Sequence, residues 1–148
     1  KGFVDDTSYP YLKELILEHT SGRLKVAPEH TEASVLKLMA KPSFRLFERL
    51  RVEFDNIVRS SGRKCELVPY FISGHPGCGM REMQRLARNP ALKGLYMDQV
   101  QDFTPTPMTT SSVMFYTGLD PKNLDKVFVE RDLERKKEQK SFFFRRGK

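Results

Sequence analysis

Apolar residues along this chain switch repeatedly between a helical and a strand period, and the switches predict an alternating order of elements. Leu12, Leu15, Ile16 and His19 follow Ser8 and Pro10 at helical spacing and stop at Ser21-Gly22, the signature of a short amphipathic helix. Residues 23–27 alternate Leu24 and Val26 against Arg23 and Lys25, which predicts a strand that Pro28 stops. Thr31 then stands as the N-cap of a helix carrying Val35, Leu36, Leu38 and Met39, broken at Lys41-Pro42. From Ser43, a second cap, Phe44, Phe47, Leu50, Phe54, Ile57 and Val58 recur at three- and four-residue steps as far as Ser60-Ser61-Gly62. Residues 66–72 are apolar on both alternating faces, as in a strand buried between two layers, although Pro69 cannot donate to a ladder. Met80, Met83, Leu86 and Ala87 predict a helix ending by Asn89-Pro90. Residues 97–103 predict a third strand closed by Thr104-Pro105-Thr106-Pro107. Residues 109–116 fit helix or loop equally, and 123–140 read as a charged helix with few apolar contacts of its own.

Strand, helix, strand, helix, strand is the order of an α/β fold with a parallel sheet. Each predicted strand is followed at its carboxyl end by polar or glycine-rich residues: Glu29-His30, Ser73-Gly74-His75, and Thr104 with Thr106. In barrels and open parallel sheets that edge carries the ligand site, because the βα loops converge there. If Leu24 and Val26 face a helix layer, the period of two turns Arg23, Lys25 and Ala27 to the opposite face, and Gln99 and Gln101 share a face in the same way. A polar inner lining suits a barrel holding a charged cofactor. Structural readings stand beside these: His30 as a helix cap, Gly74 and Gly77 as turn formers, Glu29 as a solvated loop acid, and Cys78 as a small buried residue.

Composition narrows the class. The apolar fraction of 39% is adequate for a globular α/β domain, and the apolar runs 67–72 and 142–144 fall far short of the roughly 20 residues that span a bilayer. The chain starts at Lys1 without a secretory pattern, which reads as an internal piece of a longer, soluble protein. Two cysteines, Cys65 and Cys78, make neither a disulfide framework nor a CxxC, in keeping with a cytoplasmic setting. The net charge of +7 is concentrated in residues 130–148, where eight Lys/Arg meet four acids. That tail motivates one alternative, a noncatalytic nucleic-acid-binding or interaction module; the interspersed acids fit a solvated helix face better.

At the same polar clusters the chain resembles a known family. The stretches are Gly22-Arg23-Leu24-Lys25-Val26-Ala27-Pro28-Glu29-His30-Thr31, Val35-Leu36-Lys37-Leu38-Met39 and Pro69-Tyr70-Phe71-Ile72-Ser73-Gly74-His75-Pro76-Gly77-Cys78. They continue with Asp98-Gln99-Val100-Gln101-Asp102-Phe103-Thr104-Pro105-Thr106-Pro107-Met108-Thr109 and Tyr116-Thr117-Gly118-Leu119-Asp120-Pro121. Together, over roughly residues 5–125, they resemble the YgiQ family of radical S-adenosylmethionine proteins. Residues 72–77 and 103–109 are more distantly similar to the methylthiotransferase branch. Cys78 stands where that branch has Glu and Met108 where it has Gly, so methylthiolation is not carried over.

The resemblance implies a fragment of a partial, TIM-like radical S-adenosylmethionine barrel. Residues 1–118 would be its later half, and 119–148 the start of a C-terminal extension with a basic helix or tail. It implies S-adenosylmethionine and a 4Fe-4S cluster as cofactors of the full-length protein, the cluster held by a CxxxCxxC loop that is absent here, so the fragment by itself is expected to be noncatalytic and to bind neither stably. The expected partner is the rest of the barrel; no membrane partner is expected, and no substrate is implied. The residues assigned to cofactor orientation, by resemblance and strand geometry together, are Lys25, Glu29, His30, Ile72, Ser73, Gly74 and His75. Among them Lys25 would meet a carboxylate, Glu29 the ribose hydroxyls or the sulfonium, Ile72 the adenine, and the Gly74 backbone would approach the adenine closely.

Overall fold

The computed structural model describes residues 9–97 and 99–144. Ten residues of amphipathic helix, α1 (Tyr9–Glu18), lead into β1 (Arg23–Glu29), and α2 (Ala33–Leu38) and α3 (Arg45–Ser61) cross over to β2 (Glu66–Ser73). A second crossover through α4 (Met80–Arg88) and a single 3-10 turn (Pro90–Leu92) reaches β3 (Val100–Asp102), followed by α5 (Thr110–Thr117) and α6 (Leu133–Phe144). The three strands form one parallel sheet in the order β1-β2-β3. This is the predicted α/β fragment, with helices against the sheet and every strand pointing the same way.

Strand alternation decides the two faces. Leu24, Val26, Leu67, Phe71 and Val100 belong to or pack on one apolar cluster with Leu12, Ile16, Leu36, Phe47, Phe54, Ile57, Met83 and Leu86 from the helices. On the opposite face Arg23, Lys25, Ala27 and Gln101 are exposed and Tyr70 and Ile72 half-buried, as the period of two requires. The helix α3 follows its predicted stripe, burying Phe47, Leu50, Phe54 and Ile57, and ends at Gly62 in the left-handed conformation.

Several boundaries differ from expectation for identifiable reasons. Pro28 does not stop β1; the strand runs on to Glu29 through a register shift between Val26 and Glu29, and a bulge on a strand that ends the sheet has no need of the missing proline N–H. Pro69 sits inside the central strand without cost to the ladder. Phe71 N–H bonds the Gln99 carbonyl, so by parity the Pro69 nitrogen faces the same side, upstream of the first β2–β3 pair at Phe71 and Val100. The third strand is shorter than residues 97–103 and runs from Val100 to Asp102. Thr31 is not the N-cap of α2: Glu32 holds that position, and the Nδ1 of His30 accepts the Glu32 N–H at 3.0 Å. The segment that fitted helix or loop is the helix α5, capped by the Thr109 hydroxyl accepting from the Ser112 N–H.

The largest correction concerns the charged segment. Residues 123–132 are not helical, because Asp120 and Asn123 fold their side chains back on the N–H groups of Lys122 and Asp125. The helix starts only at Leu133, after Asp132, whose carboxylate accepts from the N–H groups of Glu134 and Arg135. Nor is it short of contacts: α6 packs on α4, β2 and β3, buries Gln139 and Phe143, and stacks Phe143 on Phe71 with ring centroids 6.2 Å apart.

Gly77 and Gly94 both adopt left-handed backbone, with φ of +84° and +80°, but a Cβ on Gly77 would run into Leu38 whereas one on Gly94 would meet open space. Gly94→Ala is therefore expected to lose only about 1–2 kcal/mol of backbone preference, and Gly77→Ala a further ~1–3 kcal/mol of overpacking. Urea unfolding of both variants checks the difference, and equal losses would show that the Leu38 contact yields freely.

Candidate functional site

Parallel pairing places the three strand ends on one rim, and the rim is concave. Glu29 from β1, Ile72 from β2, Gln101 and Asp102 from β3, His75, Phe103, Thr104, Thr106 and Thr109 from the following loops, and Ser111 from the first turn of α5 line a cavity of about 350 Å³ that Met39 and Lys41 close. Its lining mixes apolar and polar side chains at a volume within the ordinary range of small-molecule sites.

Glu29 enters this cavity from strained backbone. It has φ +67°, in the left-handed region that costs a side-chain-bearing residue about 1–3 kcal/mol, and its carboxylate is 3.1 Å from the Lys41 ammonium. The bulge that carries Pro28 turns the chain into this conformation, and the Glu29 side chain is left 14% exposed. A second outlier, Met108 at φ +67°, tips the loop between Thr106 and Thr109 with its side chain fully exposed.

His75 is buried, and both ring nitrogens are engaged. Nδ1 lies 2.8 Å from the Pro76 carbonyl, which can only accept, so Nδ1 carries the proton; Nε2 lies 2.8 Å from the Ser111 hydroxyl. Burial lowers the His75 pKa, only partly opposed by the Pro76 bond, and Phe103 meets the ring edge-on at 5.0 Å between centroids. Behind the rim the Ser73 hydroxyl donates to Asp102 at 2.7 Å, and Asp102 also meets Lys140 of α6 at 3.4 Å.

The remaining expected residues divide. Glu29, Ile72 and His75 share the cavity; Ser73 and Gly74 support it from below, and Lys25 and His30 lie off it. Lys25 stands on the open sheet face with its ammonium 5.8 Å over the Tyr70 ring, beside an apolar groove shared with Phe44, Phe47 and Leu50. The Gly74 N–H is taken by the Gln139 side-chain oxygen at 3.1 Å, so it is committed to α6. His30 is wholly buried: with Nδ1 accepting from Glu32, Nε2 carries the hydrogen and points at the Cys78 sulfur, 3.4 Å away. Burial, assisted by His75, lowers the His30 pKa to about 3, and burial pushes the Cys78 thiol up to about 12. This is a neutral packing pair, which suits the structural readings of both residues.

Sequence reasoning missed Lys41, Asp102, Ser111 and Gln139. Asp102 ends the third strand as Glu29 ends the first, inside the 97–103 run that the sequence pattern predicted as strand, so the rule of looking after each strand passed over it. Ser111 and Gln139 carried no signal, because their partners lie 36 and 65 residues away. Among the described residues no group of three or more His, Cys, Asp or Glu side chains is placed to hold a metal ion, and no helix is long and apolar enough to cross a membrane.

Comparison with known proteins bears on these rim segments. The chain is 48% identical over 134 residues to a UPF0313 protein of Bacteroides thetaiotaomicron, covering 90% of the chain and 22% of the relative. It is 46% identical to one from Porphyromonas gingivalis, over 90% of the chain and 21% of the relative, and 43% identical to one from Methanosarcina acetivorans, over 93% and 18%. This segment belongs to the UPF0313 family. It spans about a fifth of the length of these relatives. Residues 98–146 match a family model described as a domain of unknown function, DUF3362, and that stretch holds β3, α5 and α6. In this UPF0313 segment, then, one wall of the rim cavity comes from β1 and β2 and the other from the DUF3362 match.

Two outcomes follow from the buried pair. Because His30 stays neutral in the fold until about pH 3 but titrates near 6.5 when unfolded, the unfolded state binds more protons between those values. Its contribution to stability is full above pH 6.5 and is lost progressively as pH falls toward 3. In His30→Asn, whose carboxamide oxygen can still accept from Glu32, the fall of stability between pH 6.5 and 4 should be shallower in acid titrations of urea unfolding. Cys78 should resist alkylation at pH 8 until global unfolding, while half-buried Cys65 reacts first; rapid native labelling of Cys78 would contradict its burial.

Proposed function

We propose that this chain is the later part of a radical S-adenosylmethionine barrel in a longer enzyme, and that its rim cavity orients the cofactor there. The observation that carries this reading is the convergence of all three strand ends on one cavity with a strained acid, Glu29, in its wall. Strain held in place by surrounding structure is a mark of functional sites. Resemblance to the YgiQ family supplies the chemistry.

The residues present fit S-adenosylmethionine in part. Glu29 and Asp102 suit ribose hydroxyls or a sulfonium, and Ile72 and Phe103 offer an apolar wall to a flat base. They do not fit the cluster: two separate cysteines, one of them buried as a neutral thiol, cannot supply three thiolates. The cluster ligands would therefore come from elsewhere in the full-length protein. Bound there, cluster and cofactor would supply one-electron reductive radical chemistry. This chain binds, orients and shields. Lys25 and the exposed sheet face would turn toward the barrel interior once the remaining strands are in place.

Nucleic-acid binding through the basic tail is the weaker reading. Lys140 pairs with Asp102, Lys137 with Glu134, Lys136 lies over the Phe115 ring and Arg131 bonds the Phe115 and Tyr116 carbonyls, so much of that charge is used within the chain.

Glu29→Gln in the full-length protein, which keeps the shape but removes the charge, is expected to weaken S-adenosylmethionine binding about tenfold, or ~1.4 kcal/mol. Iron content should be unchanged. Equilibrium binding and iron analysis on the same preparation check this, and undiminished affinity would remove Glu29 from the cofactor site.

A further inference from the structure

We propose that the rim cavity is a binding site that selects, at Ser111, a ligand group able to donate a hydrogen bond, a hydroxyl or amine, over one that can only accept. The inference uses the same cavity as the cofactor reading but not the identity of the cofactor.

The selection follows from where one proton must go. His75 Nδ1–H is committed to the Pro76 carbonyl at 2.8 Å, which leaves Nε2 a bare acceptor in the neutral ring. Among the described residues Ser111 Oγ is the group that faces that acceptor, at 2.8 Å, and a serine hydroxyl has a single proton. Ser111 therefore gives its proton inward to His75 and presents only lone pairs to the cavity it lines. The ring cannot swing to release it, because it is buried and braced edge-on by Phe103.

The hydroxyls around Ser111 are turned the same way. Thr109 Oγ1 donates to the Thr106 carbonyl at 2.8 Å, and the Thr104 and Thr106 hydroxyls point at the Asp102 and Thr104 carbonyls, each at 3.5 Å. Glu29 and Asp102 are acceptors when ionised; the donors of the wall are the Gln101 carboxamide and the Lys41 ammonium, which gives one of its three N–H groups to Glu29, so the selection is made at Ser111 and not by the wall as a whole. Beside these acceptors Ile72 and Phe103 provide a surface for an apolar or aromatic body. A ligand with a flat ring and a donating head matches this arrangement, and one that offers only an ether or carbonyl oxygen sets lone pair against lone pair. Sites built around a fixed acceptor discriminate in this way because the mismatched polar group is left unpaired.

Benzyl alcohol and anisole test the idea: both are neutral, of equal heavy-atom count and built on the same ring, but only the alcohol donates. Saturation-transfer NMR titrations on the full-length protein without added S-adenosylmethionine should show benzyl alcohol binding about tenfold tighter than anisole, or ~1.4 kcal/mol. In His75→Phe, which frees the Ser111 proton for the cavity, the preference should narrow because anisole gains a donor. In the double variant His75→Phe with Ser111→Ala, which removes both the hydroxyl and the bare Nε2 behind it, it should shrink to within about twofold. Equal affinities in the unmodified protein, a preference that survives the double variant, or no saturable binding of either probe would overturn the proposal. The cofactor reading is tested separately by Glu29→Gln, so the two can fail independently.

Discussion

Parallel pairing of β2 with both neighbours is the constraint on which the rest of this structure depends. Parallel strands cannot be joined by a tight turn, so each must be followed by a crossover, and here α2 with α3 and α4 with its 3-10 turn fill that need. The same direction of travel brings Glu29, Ser73 and Asp102 to a single edge. Reversing any one strand would scatter them, whatever their chemistry.

The second dependency is the docking of α6. Phe143 on Phe71 and Lys140 on Asp102 place the helix against β2 and β3, and Gln139 then satisfies the Gly74 N–H where the chain leaves β2. A buried amide without that acceptor would cost about 1–3 kcal/mol, so the turn that positions His75 depends on the DUF3362 match. Seen this way, residues 98–146 are not an appendage to the rim. They supply β3, the wall from Gln101 to Ser111, and the brace behind it.

The rim also separates accessible from buried polarity. His30 and Cys78, conspicuous in sequence, are buried against each other as neutral groups. Glu29, an unremarkable acid after a proline, is held in left-handed backbone facing the cavity. Burial is what distinguishes them.

Local pattern was enough to determine the element order as far as β3, the apolar stripe of α3, the sorting of Lys25 and Leu24 to opposite faces and the clustering of polar residues after each strand, because those follow from periods of two and 3.6 within a few residues. The resemblance in the same clusters was carried by contiguous stretches and was equally legible. The His30 bond that serves α2 and the irregular run 123–132 rest on contacts two residues long, which are local but carry no period. Tertiary structure alone decided that β1 passes through Pro28 on a bulge. It alone brought Ser111 to His75, Lys41 to Glu29 and Gln139 to Gly74. Those pairs join residues between 12 and 65 positions apart, so no periodicity signals them; they exist only because the parallel sheet and the packing of α6 bring separate loops to one edge.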